Sequence, residues 1–354
     1  MTTSSEYFKK MHETCAVVNP MIMAAVEPLK RESEGLYEAV SELPRKRTEA
    51  SGQLRAFMLR NAYECAGGED WQRIAPVCAA VELELCSMYY ENRVYDEKGG
   101  KRDLAQISKS IMAAKLTRDL AERLVKQSGE ITARDRSKIV ELLNQADITF
   151  ETGEYLDVFE NTFARMGGAS FSDMISCCER RIYGINAAYF ERICEIGGLL
   201  AGAPKEETGA LENFGRQLGM GYQIMNDVAD FVPSFEGHTT SEKEVNDTHR
   251  DIMHGELTLP GIYTLHHGSK EETDRLKSVF ERGMQTPESE LIQISQDMIN
   301  NGSINFAIKQ AKKFGREARK QLRGFPKERR KTLSEMAVVL DSNRYYNSLR
   351  KLAS

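Results

Sequence analysis

No proline interrupts the chain between Pro76 and Pro204. A stretch of that length, rich in Ala, Leu, Glu, Lys and Arg, favours helices, because proline alone removes the backbone donor and clashes with the preceding turn. Alternating β-branched runs closed by tight Asn-Gly turns are missing; Asn301-Gly302 lies between two helical stretches. The spacing predicts helices over about 6–43, 49–66, 70–97, 103–127, 133–148, 153–165, 170–201, 207–232, 243–254, 258–266, 270–283, 287–300, 303–323 and 326–350. Breaks are expected at Gly67-Gly68, Gly99-Gly100, Gly167-Gly168, Gly202-Ala203-Pro204 and the polar stretch 233–240. The expectation is a single all-α domain over 1–354, with 1–48 as a helical extension packed on it.

Composition narrows the functional classes. With 41% hydrophobic residues, 29% charged residues and a net charge of −5, the chain is neither disordered nor a polyanion binder. No apolar run is long enough for a membrane span, and the first fifteen residues carry no secretory core, so a cytoplasmic location is expected. The cysteines at 15, 65, 78, 86, 177, 178 and 194 are odd in number and form no Cys-x-x-Cys pair, which suits packed thiols better than disulfides or zinc. The six histidines show no zinc spacing, and phosphate-binding and nucleophile-elbow motifs are missing. The segment 315–332 holds eight Lys/Arg against two Glu. It reads as a solvated helix pair, with phosphate or lipid-surface contact as the alternative; nucleic-acid binding would want interleaved aromatics, and only Phe325 is there.

Two helices are apolar on most faces, around Val77–Tyr90 and Leu218–Val232, and each ends in a polar cluster. Such helices belong at the centre of a bundle, where polar groups need partners. Asn226 and Asp230 are four apart and share a face, with Gln223 a turn earlier and Asp227 on the adjoining edge. Carboxylates with an amide oxygen form a hard donor set of the kind magnesium accepts; an exposed polar helix end is the plainer alternative. Asn92 and Asp96 are also four apart, with Arg93 and Tyr95 between them. Alone they read as a solvated helix end; paired with the second cluster they form half of a facing metal site.

The order of these features resembles the trans-isoprenyl diphosphate synthase (polyprenyl synthetase) family. Residues 214–231 resemble its G-x-x-x-G-x-x-F-Q-I-x-D-D-x-x-D motif, and 251–260 resemble D-L-x-x-G-K-x-T-L-P. The segment 195–203 fits L-G-x-L-L-A-G-A, 151–157 fits G-Q-x-L-D, and 79–83 fits the helix leading to the first aspartate motif. The resemblance implies an isoprenoid-synthase-type helical bundle with a central cavity. It further implies magnesium held by Asn226, Asp227, Asp230, Asn92 and Asp96, and a prenyl diphosphate contacted by Gln223, Arg55, Arg93, Lys101 and Arg102. Tyr89 and Tyr90 would then form a pocket floor, and the protein would be a homodimer or a heteromer with a related synthase.

Many family positions are replaced. The first D-D-x-x-D falls on Asn92, Arg93, Val94, Tyr95 and Asp96, and the expected histidine two turns earlier is Leu85. The homoallylic lysine is lost beside Arg55; Ile185-Asn186 stands for Lys-Thr, and Glu256 for the lysine of G-K-x-T-L-P. Removing lysines from a site for a multiply charged diphosphate removes complementary charge, which argues against ordinary elongation with isopentenyl diphosphate. Three readings stay open: magnesium-dependent ionisation of an allylic prenyl diphosphate with a non-standard acceptor or cyclisation, a non-catalytic subunit modulating an active synthase, and a lipid-binding scaffold.

Overall fold

The computed structural model describes residues 5–49, 52–95, 103–231 and 249–339. Seventeen α-helices run through them: α1 (Ser5–Val26), α2 (Leu29–Glu32), α3 (Glu34–Glu49), α4 (Leu54–Cys65), α5 (Ala75–Tyr95), α6 (Leu104–Gln127), α7 (Ala133–Tyr155), α8 (Phe163–Met166), α9 (Phe171–Ile182), α10 (Ala188–Leu200), α11 (Lys205–Phe231), α12 (Arg250–Met253), α13 (Leu259–His267), α14 (Lys270–Arg282), α15 (Glu288–Asn300), α16 (Ser303–Gln321) and α17 (Lys327–Val339). No strand occurs among the described residues, and a lone antiparallel bridge joins Thr162 to Glu256. The all-α class expected from the proline-free stretch is what forms.

Local chemistry sets the helix starts. Thr132 accepts the Asp135 amide at 3.1 Å to open α7, Ser170 accepts that of Asp173 at 3.2 Å to open α9, and Ser269 with Glu272 closes a capping box on α14. The single helix expected over 6–43 is broken into three, because Pro28 follows the first and Ser33 turns extended before the third. The break expected near 149–152 does not occur; α7 runs on to Tyr155 and then widens into a π turn at Leu156–Glu160. A second π turn, Tyr183–Ala187, joins α9 to α10.

The two apolar helices are central. Helix α5 packs on α6, α1 and α4, while α11 lies between α10 and α16. Phe57, Leu83, Phe190, Phe214 and Phe231 sit in one buried cluster that also takes Val18, Ile22, Val26 and Val40 from the N-terminal helices. Each such side chain contributes about 1.5–3 kcal/mol on burial. All seven cysteines are free thiols, six of them buried.

The glutamates of α5 explain how so apolar a helix carries charge. Glu82 Oε1 accepts the Ala56 amide at 2.8 Å in the first turn of α4, and its Oε2 pairs with Arg47 at 2.9 Å. Glu84, 3% exposed, shares Arg118 of α6 with Glu91 and with Asp147 of α7. Each buried carboxylate thus meets a cation, as burial requires.

Candidate functional site

At the end of α11 the helix rotation separates residues the sequence placed together. Asp227 and Asp230 are buried, at 2% and 5% exposure, whereas Asn226 is exposed. Gln223 donates from Nε2 to Asp227 Oδ1 at 2.9 Å. Gln223 was expected beside Asn226 and Asp230; its neighbour one turn on is Asp227, as the four-residue spacing dictates.

The other oxygen of Asp227 meets a residue that pattern reading did not single out. Arg181 Nη1 donates to Asp227 Oδ2 at 3.0 Å, its Nε pairs with Asp157 Oδ1, and its Nη2 lies 4.0 Å from Glu256 Oε2. Arg181 is 3% exposed at the end of α9, where it continues a buried row through Met174, Cys177 and Cys178. That spacing of three, one and three was the signal available in the sequence: an arginine on the apolar face of a helix needs an acidic partner.

Backbone geometry holds these groups in reach. Asp157 lies in the first π turn, and Arg181 lies two residues before the second. Gly153 of α7 crosses Gly184 at backbone contact; a Cβ on Gly153 would fall 2.5 Å from the Ile185 amide nitrogen, so only glycine permits the crossing. The loop after α12 is zipped onto the segment before α8, with Leu257 N donating to Asn161 O at 2.9 Å and Phe163 N to Gly255 O at 2.7 Å. This fixes Glu256, 4% exposed, beside the guanidinium.

Burial works against the charge on Arg181, but Asp157 and Asp227 outweigh it and keep the guanidinium firmly protonated. Enclosure by protein, with Asp230, Glu256 and Asp227 nearby, pushes the Asp251 carboxyl well above its usual range. The cluster therefore combines one permanent cation with several carboxylates, one of them favouring its neutral form.

The first cluster is built differently. Arg93 forms a two-pronged pair with Glu42 of α3 at 3.0 and 3.1 Å, lying 5.3 Å from the Tyr90 ring centre. Its expected role beside a metal or phosphate is thus replaced by an ion pair with the N-terminal helices. Tyr90 is buried against the same helix, donating to Ala39 O at 2.8 Å; Tyr89 is 37% exposed under Arg47. Both tyrosines are engaged with the N-terminal helices. Asn92 Oδ1 is buried with no hydrogen-bond partner among the described residues, and Tyr95 donates to Glu151 of α7 at 2.8 Å. Asp96, Lys101 and Arg102 lie outside the described residues. Helix α7 thus ties the two clusters together, through Glu151 to the first and, just past its end, through Asp157 to the second.

Arg55, the retained cation of the homoallylic segment, donates to Asn186 Oδ1 at 3.3 Å and stacks 4.7 Å from Phe190 and 5.6 Å from Tyr222. Behind the first cluster, burial pushes Glu84 up to about 8 and Glu91 up to about 7, against the opposing pull of Arg118. Two surface grooves, of about 540 and 490 Å³, are lined by Leu116, Leu120 and Arg123 in one case and by Arg134, Lys138 and Leu199 in the other; no predicted site residue lines either.

The magnesium site read from the sequence can be tested on these donors. Both Asp227 oxygens already accept hydrogen bonds from protein, and Asn226 points to solvent rather than alongside it. Among the described residues, no group of three or more His, Cys, Asp or Glu side chains is placed to hold a metal ion. The described residues therefore do not fit magnesium at Asp227; the positive charge there comes from Arg181.

Comparison with known proteins places the chain among familiar ones. The polyprenyl synthetase family model matches residues 102–298, more than half of the chain. The chain is 27% identical over 161 residues to the octaprenyl diphosphate synthase of Escherichia coli (strain K12), covering 43% of each, so it spans less than half of that relative's length. It is 23% identical over 329 residues to heptaprenyl diphosphate synthase component 2 of Geobacillus stearothermophilus, covering 92% of this chain and 96% of that one. The polyprenyl synthase of Caulobacter crescentus CB15, solved in complex with calcium and isoprenyl diphosphate, superposes with a TM-score of 0.79 at 19% identity, over 97% of this chain and 99% of that one, a likeness of fold.

Proposed function

The chain belongs to the polyprenyl synthetase family, and within that family we propose that it is a non-catalytic subunit that pairs with an active prenyl diphosphate synthase and tunes its product. One observation carries the reading: the buried Arg181 guanidinium bridges Asp157 and Asp227, so the aspartates that would draw a metal-bridged diphosphate already hold a cation supplied by the protein. The replaced lysines act in the same direction. Ile185 has no charge, and Glu256 adds an anion where a diphosphate would need a cation.

The pairing surface is supported by exposed apolar side chains on adjacent helices. Leu104, Ile111 and Met112 of α6, and Ile148 and Tyr155 of α7 with Phe159 just beyond, are large and solvent-facing, Leu104 at 74% and Ile148 at 68% exposure. A concentration of exposed apolar side chains of this kind favours association. That a relative is named as one component of a heptaprenyl synthase agrees with assembly in parts.

The test is direct. The purified chain, given farnesyl diphosphate, isopentenyl diphosphate and magnesium, is expected to consume neither, and calorimetry is expected to detect no magnesium-dependent binding of farnesyl diphosphate. From cells that make it naturally, it is expected to co-elute with a second polyprenyl synthetase whose product length shifts when it is removed. Turnover by the chain alone overturns the proposal.

A second reading, ionisation of an allylic prenyl diphosphate with a non-standard acceptor or cyclisation, draws on the exposed Asn226 amide and on the unpartnered, buried Asn92 Oδ1. Magnesium-dependent binding of farnesyl diphosphate lost in Asp227→Ala/Asp230→Ala would favour it. Tyr89→Ala or Tyr90→Ala would then report chain length.

A further inference from the structure

A strongly charged surface lies far along the chain from both polar clusters. Residues 303–335 carry eleven Lys/Arg against three Glu, a net of +8 in a chain whose whole net charge is −5. The charges are ordered. Helix α16 buries Ile304, Ala307, Ile308, Ala311, Gly315 and Ala318, packing on α11 and α13, and exposes Lys309, Lys313, Arg316 and Lys320 on the opposite side. Exposed Arg323 and Lys327 continue the row past the helix end. The alternating spacing of four and three keeps all of α16's exposed cations on one narrow face. From Lys309 to Arg323 the row spans roughly 20 Å at helical rise.

Little on the protein balances this row. Glu317 is the sole acidic residue of α16, and it reaches Lys320 at 2.5 Å. Lys309, Lys313, Arg316, Arg323 and Lys327 form no ion pair among the described residues. Like charges set a turn apart repel one another, so the row favours a dense anionic counterpart.

We propose that this cationic row docks the protein on a bilayer surface bearing anionic phospholipid headgroups. Charge complementarity selects the occupant. The remainder of the chain carries a net of −13, so an anionic surface attracts α16 and repels the rest, which sets one orientation. A protein partner would want an apolar anchor within the patch, and this face presents none. A nucleic acid would want stacking aromatics, but Phe306 and Phe314 are half-buried and packed into the core. Juxtaposed basic side chains and a headgroup layer need neither. With no helix among the described residues long and apolar enough to cross a membrane, the attachment is peripheral and reversible.

Vesicle co-sedimentation of the full chain tests this. Binding is expected to vesicles of phosphatidylcholine with phosphatidylglycerol, not to phosphatidylcholine alone. It is expected to weaken as salt rises past physiological strength, where screening acts over about 8 Å. Lys313→Glu/Arg316→Glu/Lys320→Glu should lower partitioning by more than about a hundredfold, since losing three basic residues at a factor of about five each already gives about that and the added carboxylates are repelled by the headgroups. The milder Lys313→Gln/Arg316→Gln/Lys320→Gln should lower it by a smaller factor, and circular dichroism should show both variants folded. Lys115→Glu/Lys138→Glu, on α6 and α7 away from the row, should leave partitioning unchanged. Failure of the wild-type chain to bind anionic vesicles overturns the proposal. So does binding that ignores the α16 substitutions, or binding to single-stranded RNA in preference to vesicles.

Discussion

The two polar clusters look alike in sequence: each ends an apolar helix, and each keeps an aspartate four residues after an asparagine. The structure treats them in opposite ways. At the end of α5, Arg93 is half-buried and leaves for Glu42 on a neighbouring helix, so its charge is spent near the surface. At the end of α11, the cation arrives from outside the motif, as Arg181 from α9, and is sealed in at 3% exposure. Water accounts for the difference. An ion pair at the rim competes with hydration and is worth little, whereas a buried cation among carboxylates can neither leave nor be replaced without exposing uncompensated charge.

Removing Arg181 is the largest way to break this comparison. Arg181→Met should cost about 3–5 kcal/mol in urea unfolding, because it strands Asp157 and Asp227 in the interior. Adding Asp157→Asn and Asp227→Asn should recover much of the loss, since the three side chains act as one unit. A single-variant cost under about 1 kcal/mol would mean the guanidinium is not what holds the cluster.

Next in size is a pH effect behind the first cluster. Glu84 is raised to about 8 from an ordinary 4.5, so the folded state holds a proton that the unfolded chain gives up. That contribution is complete below about pH 4.5 and is lost as pH rises towards 8, by an amount on the order of a few kcal/mol. Unfolding free energies at pH 5 and pH 8.5 should show the decline, and Glu84→Gln should flatten it. An unchanged slope in the variant would assign the decline to other groups.

Smaller effects sharpen the contrast. Arg93→Ala should cost about 0.2–1 kcal/mol, in keeping with its partial exposure, and thermal unfolding would show it. Asn226→Asp should change stability by under about 0.5 kcal/mol, because the position is exposed. With Arg181 in place, that variant should gain no Mn²⁺ binding by electron paramagnetic resonance; a new bound-manganese signal would mean that Asn226, not Arg181, sets the metal response.

Much of the fold was legible in the sequence because its signals are local. The proline-free stretch and the apolar faces of α5 and α11 act over a few residues and reappear as expected. The candidate site was legible only in part. Asp227 and Gln223 were found, but the partner of Asp227 lies 46 residues away on another helix. The buried row from Met174 to Arg181 marked that arginine as needing an acid without saying which. The joining of the expected helices across 149–152 was missed; Gly153 within that helix is a contact point for Gly184.

The sequence by itself determined that the chain folds into helices, which two of them lie at the centre, and that each carries polar groups inward. Those outcomes follow from backbone sterics and from the period of the apolar residues. Only the tertiary structure decided what neutralises the second aspartate cluster. Charge pairing depends on distance in space, and the crossing of α7 with the π turn after α9 is what brings Asp157, Arg181 and Asp227 within reach of one another.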